Sequence, residues 1–104
     1  MFKGNTYITR GINEKLSDEI IRYLWLLVLN ETKRKLDYLQ IFELRNAGPS
    51  DNPVLEVTWR QEQPVHIEKR YLIGQKTSVD KVWIICNAED TKDEYSTMLL
   101  PEEY

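Results

Sequence analysis

Only one stretch of this 104-residue chain can form a long helix, and this restricts the fold more than any other feature. Ser17 is a good N-cap, because its side-chain oxygen can accept from a backbone N–H that a helix start leaves unpaired. Asp18 and Glu19 follow and put negative charge at the positive end of the helix dipole. Lys33-Arg34-Lys35 supplies the opposite sign further on, so the two ends agree on a helix over residues 18–35. Between them Ile20, Ile21, Leu24, Trp25, Leu26, Leu27, Val28 and Leu29 are apolar nearly all round. A surface helix needs a stripe only about 100° wide. This helix is therefore expected to be sandwiched within its own fold or to turn its second face to another chain.

Everything else reads as strand or turn. Tyr7-Ile8-Thr9-Arg10 is short and β-prone, Gly11 can break it, and Ile12–Lys15 reads as a connection. Tyr38–Leu44 is aromatic and aliphatic. Asn46-Ala47-Gly48-Pro49-Ser50-Asp51-Asn52-Pro53 is the strongest loop signal. Leu55, Val57 and Trp59 alternate with Glu56, Thr58 and Arg60, the pattern of a half-buried strand. Gln61-Glu62-Gln63-Pro64 turns the chain into a run where Val65, Ile67, Tyr71 and Ile73 share one parity and His66, Glu68 and Arg70 the other. Gly74–Ser78 is a further turn. Val82–Cys86 is apolar on both sides, as in a central strand, and Tyr95–Leu100 is a last strand that Pro101 ends. The expected order is β-α-β-β-β-β-β. That is an α+β domain spanning residues 1–104, with a single helix near the N-terminus on a mainly antiparallel sheet of five to six strands. A parallel sheet would need more crossover helices.

Composition fits a globular domain: 41% apolar, 11% aromatic and 30% charged residues, with 14 Lys+Arg against 17 Asp+Glu. The longest apolar run, Ile20–Leu29, falls short of the roughly 20 residues a membrane span requires. The single cysteine, Cys86, allows no internal disulfide and suits a reducing cytoplasm.

The residues that carry chemistry are sparse. His66 is the only histidine and falls on the polar side of its strand, without an evident partner for base catalysis or metal binding. Cys86 lies in an apolar run, away from the electropositive setting a thiolate needs. The carboxylates Glu62, Glu68, Asp90, Asp93, Glu94, Glu102 and Glu103 follow no calcium-loop spacing. Gly4, Gly11, Gly48 and Gly74 are too scattered for a phosphate-cradling loop. A pI near 5.2 argues against nucleic acid, and dipole complementation accounts for Lys33-Arg34-Lys35. Trp25, Trp59 and Trp83 fall at apolar positions and are expected in the core. No catalytic residue, cofactor or metal site is assigned.

Two segments are unusual for pure structure. One is the polar turn containing Gln61, Glu62 and Gln63. The other is the C-terminal Glu102-Glu103-Tyr104. Both are candidate partner-binding positions, since binding residues concentrate in such places. The leading expectation is a non-enzymatic protein-interaction or adaptor domain that binds another protein or itself, with neither nucleic acid nor membrane as partner. The alternative is a small-molecule binder or small enzyme with a pocket between helix and sheet, where tyrosines, Glu62 and His66 would converge.

Arg10-Gly11-Ile12-Asn13-Glu14-Lys15, Leu36-Asp37-Tyr38-Leu39-Gln40, Phe42-Glu43-Leu44, Gln61-Glu62-Gln63-Pro64, Ser96-Thr97-Met98-Leu99-Leu100 and Glu102-Glu103-Tyr104 occur in this order along the chain. Together they resemble a family of small uncharacterised proteins of Gram-positive bacteria, a domain of unknown function. The resemblance implies a bacterial, cytoplasmic, stand-alone domain and carries no activity, cofactor or site residue with it.

Overall fold

The computed structural model describes residues 1–104. Strand β1 (Asn5–Ile8) leads into a short helix α1 (Arg10–Lys15) and the main helix α2 (Asp18–Leu29). Five strands follow: β2 (Leu39–Asn46), β3 (Val54–Glu62), β4 (Val65–Ile73), β5 (Lys81–Asn87) and β6 (Tyr95–Leu99). A 3-10 turn at Pro101–Glu103 ends the chain. The six strands form one sheet in the order β1-β6-β5-β2-β3-β4. All pairings are antiparallel except β1 with β6, which is parallel. The expected α+β architecture is therefore the one observed, with helices on one face of the sheet.

The start of α2 follows its sequence signals. Ser17 Oγ accepts from Ile20 N–H, and Asp18 and Glu19 occupy the first turn. Its end does not. The helix stops at Leu29, and Asn30 caps it by donating its N–H to the Leu26 and Val28 carbonyls. Lys33-Arg34-Lys35 lies beyond it, so dipole complementation is not its role. Ile12–Lys15, expected as a connection, belongs to α1. Thr9 caps that helix with its side chain, and Ile12 is fully buried.

Alternation builds the core. Ile20, Leu24 and Val28 of α2 meet Phe42 and Leu44 of β2, Leu55, Val57 and Trp59 of β3, Val82, Ile84 and Cys86 of β5, and Met98 of β6. Phe42 and Trp59 stack at 6.0 Å between ring centroids. Of the three tryptophans only Trp59 is buried; Trp25 and Trp83 are half-exposed. Cys86 is buried as expected, and burial pushes its thiol pKa up.

The termini are tied to this core through carboxylates. Glu94 accepts backbone N–H groups from Asp90, Lys3 and Gly4, which hold its pKa down to about 2. This anchors the segment that buries Phe2. A Cβ on Gly4 would stand 1.8 Å from the Glu94 carbonyl oxygen, so no larger residue fits that crossing. At the other end Glu103 accepts from Thr9 Oγ1 at 2.6 Å, Leu100 N–H at 2.9 Å and Gly11 N–H at 3.0 Å. The Thr9 and Leu100 bonds keep its carboxyl below the usual range.

Candidate interaction surface

The hairpin between β3 and β4 decides which side chains reach solvent. Its two-residue turn, Gln63-Pro64 with a cis peptide bond, pairs Glu62 with Val65 and Gln61 with His66. Leu55, Val57 and Trp59 must face α2 to bury themselves. Their partners Leu72, Arg70 and Glu68, with His66 next along, therefore point to the same side. The other parity of β4 turns outward. Val65 is 82% exposed, Ile67 62%, Tyr71 56% and Ile73 69%. The sequence pattern suggests the reverse, with the apolar set inward and His66 outward. A one-residue slip would restore that arrangement only by breaking the paired hairpin.

The polar side chains of β4 are gathered by the segment after α2. Arg34 Nη2 lies 2.7 Å from Glu68 Oε1, its Nη1 meets His66 Nε2, and its Nε lies 3.1 Å from Glu31. Its guanidinium sits 4.6 Å from the centroid of Trp59, a cation–π contact that helps cover the ring. Arg70 also bonds Glu68 at 2.8 Å. Burial acts to raise the Glu68 pKa, but the bonds from Arg34 and Arg70 prevail and lower it. His66 is thus half-exposed and part of an ionic cluster that covers Trp59.

Of the expected partner-binding residues, Gln61 has an internal role. It is buried, and its amide joins Gln40 Nε2 at 2.9 Å, Asp37 N–H at 3.1 Å, the Lys35 carbonyl at 3.0 Å and the Pro64 carbonyl at 2.8 Å. Gln40 in turn accepts from Trp59 Nε1 at 2.7 Å. This satisfied network locks the hairpin to the segment leading into β2. Glu103 is likewise occupied by the bonds that fasten the C-terminal turn. Glu62, Gln63, Glu102 and Tyr104 are exposed.

The face of the sheet away from the helices has no second layer. Paired across its strands run Ile67, Arg60, Ile41, Trp83 and Leu99. Tyr104 returns over this row and packs edge-on against Trp83 at 5.8 Å. Glu56 lies near its middle with Arg45 at 2.7 Å, Lys69 at 3.5 Å and the Tyr71 hydroxyl at 3.4 Å. The Arg45 hydrogen bond above all keeps the Glu56 carboxyl ionised to lower pH than usual. The open face thus holds an ionic centre flanked by apolar residues, with β4 as its outer rim. Glu62 and His66 border a surface hollow of about 410 Å³ at the hairpin end, outside the helix–sheet interface.

No group of three or more His, Cys, Asp or Glu side chains is placed to hold a metal ion, and no helix is long and apolar enough to cross a membrane. The geometry defines an α+β domain with one helix-covered face, one open face and a long edge strand that exposes four large hydrophobic residues. The chain belongs to the family described as Staphylococcal protein of unknown function (DUF960), which it matches over residues 5–103. Its fold is similar to that of a protein of unknown function from Enterococcus faecalis, known from a crystal structure. The TM-score is 0.74 at 19% identity, covering 96% of this chain and 90% of that one. None of the curated proteins matches the chain.

Proposed function

We propose that this chain is a non-enzymatic protein-interaction domain that works in the cytoplasm and docks its partner on the open face of the sheet along β4. One observation carries the reading: Val65, Ile67, Tyr71 and Ile73, interrupted only by Lys69, form an outward and mainly apolar row on a nine-residue edge strand. Water gains nothing from that row, and an unpaired strand edge is a ready template for another chain. Tyr71 adds a ring with a polar tip, a residue type enriched at interfaces. The lone buried Cys86 supports a reducing compartment.

The test is site-specific photocrosslinking in the native cell. A photoreactive residue at position 67 or 71 should give defined protein adducts, and Ile73→Lys should abolish them. The same residue at the exposed Arg22 on α2 should give none. Absence of adducts from β4, or an identical set from position 22, would contradict the assignment.

A further inference from the structure

Resting on that reading, we infer that the partner on β4 is a second copy of this chain, joined edge to edge so that two six-stranded sheets become one. The free backbone groups, the cross-strand charges and the contrast between the two sheet edges carry this inference.

The hydrogen-bond phase of the sheet fixes which backbone groups are free. Ala47 N–H donates to the Val54 carbonyl, and Gly74 N–H donates to the Pro53 carbonyl, each at 2.8 Å. Backbone groups of successive residues in a strand point to opposite edges. Even-numbered residues of β3 therefore turn toward β2 and odd-numbered ones toward β4. In the observed register, Leu55, Val57, Trp59 and Gln61 engage Leu72, Arg70, Glu68 and His66. The outward N–H and C=O groups of β4 are then those of Val65, Ile67, Lys69, Tyr71 and Ile73.

An antiparallel pair of identical strands has a two-fold axis, and the number of main-chain bonds it can form selects where that axis lies. With the axis at Lys69, Glu68 faces Arg70 of the second copy, and Arg70 faces its Glu68. Ile67 then faces Tyr71, Val65 faces Ile73, and all five outward residues find bonded partners, about ten main-chain hydrogen bonds in total. Moving the axis to Glu68 or Arg70 leaves the outward groups of Ile73 or Val65 unbonded and also loses the Glu68–Arg70 facing pairs. The chosen register does oppose the two Lys69 side chains. Each already lies 3.5 Å from its own Glu56, a carboxylate it shares with Arg45, which lessens that repulsion. On the helix side Glu31, Arg34, Glu68 and Arg70 of each chain sum to zero charge. The opposite sheet edge, β1, is only four residues long and lacks this pattern.

Two measurements decide the matter. Sedimentation equilibrium over a concentration series should show a reversible species of twice the 12.4 kDa monomer mass. Ile67→Lys with Ile73→Lys should weaken it at least tenfold while circular dichroism stays unchanged. Spin labels at Lys69→Cys, with Cys86 buried and unlabelled, should approach closely across the axis. Labels at Val65→Cys should lie farther apart, near 27 Å from the strand rise. A chain that stays monomeric at millimolar concentration overturns the inference. So does a dimer that the double variant leaves intact, or labels at position 69 farther apart than those at 65. If the chain is monomeric yet photocrosslinks from position 67 to a different protein, only the second-copy assignment fails. If it is monomeric and gives no adducts, the interaction reading fails too.

Discussion

On the helix-covered face the amides of Gln40 and Gln61 lie inside and are fully engaged. Gln40 and Gln61 exhaust their amides on Trp59, Asp37, Lys35 and Pro64, while Arg34 closes over Trp59 with Glu68 as its counter-ion. On the open face Glu56 is buried among Arg45, Lys69 and the Tyr71 hydroxyl, while Val65, Ile67 and Ile73 stand apolar in solvent. The two faces share the β3–β4 hairpin, so one register produces both. The lesson is that a strand's core face is set by the strand it pairs with, and β4 takes its orientation from Trp59 and Val57. A sheet built for solubility alone would place charge where β4 places isoleucine.

Matched truncations on the two faces should break this symmetry of residue type. Phe42→Ala, beneath α2, removes a fully buried ring and should cost about 3–5 kcal/mol, read from chemical denaturation. Tyr71→Ala on the open face should cost far less, within about 1 kcal/mol. Equal losses would mean that the open face is covered in the isolated chain.

Replacing Gln61 by Leu keeps the volume but strips the partners from Asp37 N–H and the Lys35 and Pro64 carbonyls. The expected loss is about 1–3 kcal/mol for each group left without water or a substitute. Nuclear magnetic resonance should show the changes centred on residues 35–37 and the hairpin turn. Shifts confined to Gln61 itself would assign it a surface role after all.

The carboxylate that ties down the N-terminal segment, Glu94, should also give a distinct acid response. Its pKa lies below the unfolded value of 4.5, at about 2 in the folded chain. The folded state therefore binds this proton less readily, and the stabilisation is complete above about pH 4.5 and lost as pH falls toward 2. Glu94→Gln should flatten that part of the stability curve and loosen the segment burying Phe2. An unchanged acid limb would remove Glu94 from the account.

The smallest effect is expected on β4. Ile73→Lys should leave monomer stability within about 0.5 kcal/mol, because the side chain is already in water. A large loss would show that the exposed row supports the fold rather than a partner.

Much of the architecture was legible because its signals are local. Ser17, Asp18 and Glu19 start α2, Leu55-Val57-Trp59 alternate as a covered strand, and the apolar run around Cys86 marks a central one. The misread parts depend on distant residues. Arg34 looks like a helix C-terminal cation until Glu68 and Trp59 claim it from another element. Gln61 looks like a surface residue of a polar turn until Gln40 and the carbonyl of Lys35 surround it. The parallel pairing of β1 with β6 joins chain ends that no periodicity relates. The exposed apolar row was legible as a row, yet its direction was set by a hairpin register that pattern alone does not supply.

Residue-resolved amide hydrogen exchange along β4, followed with chain concentration, tests the central claim most directly. If β4 pairs with a second copy, the amides of Ile67, Lys69 and Tyr71 should slow as concentration rises, while those of His66, Glu68 and Arg70 are protected throughout by β3. Fast exchange at 67, 69 and 71 at every concentration would mean that the edge stays open and that the second copy does not bind there.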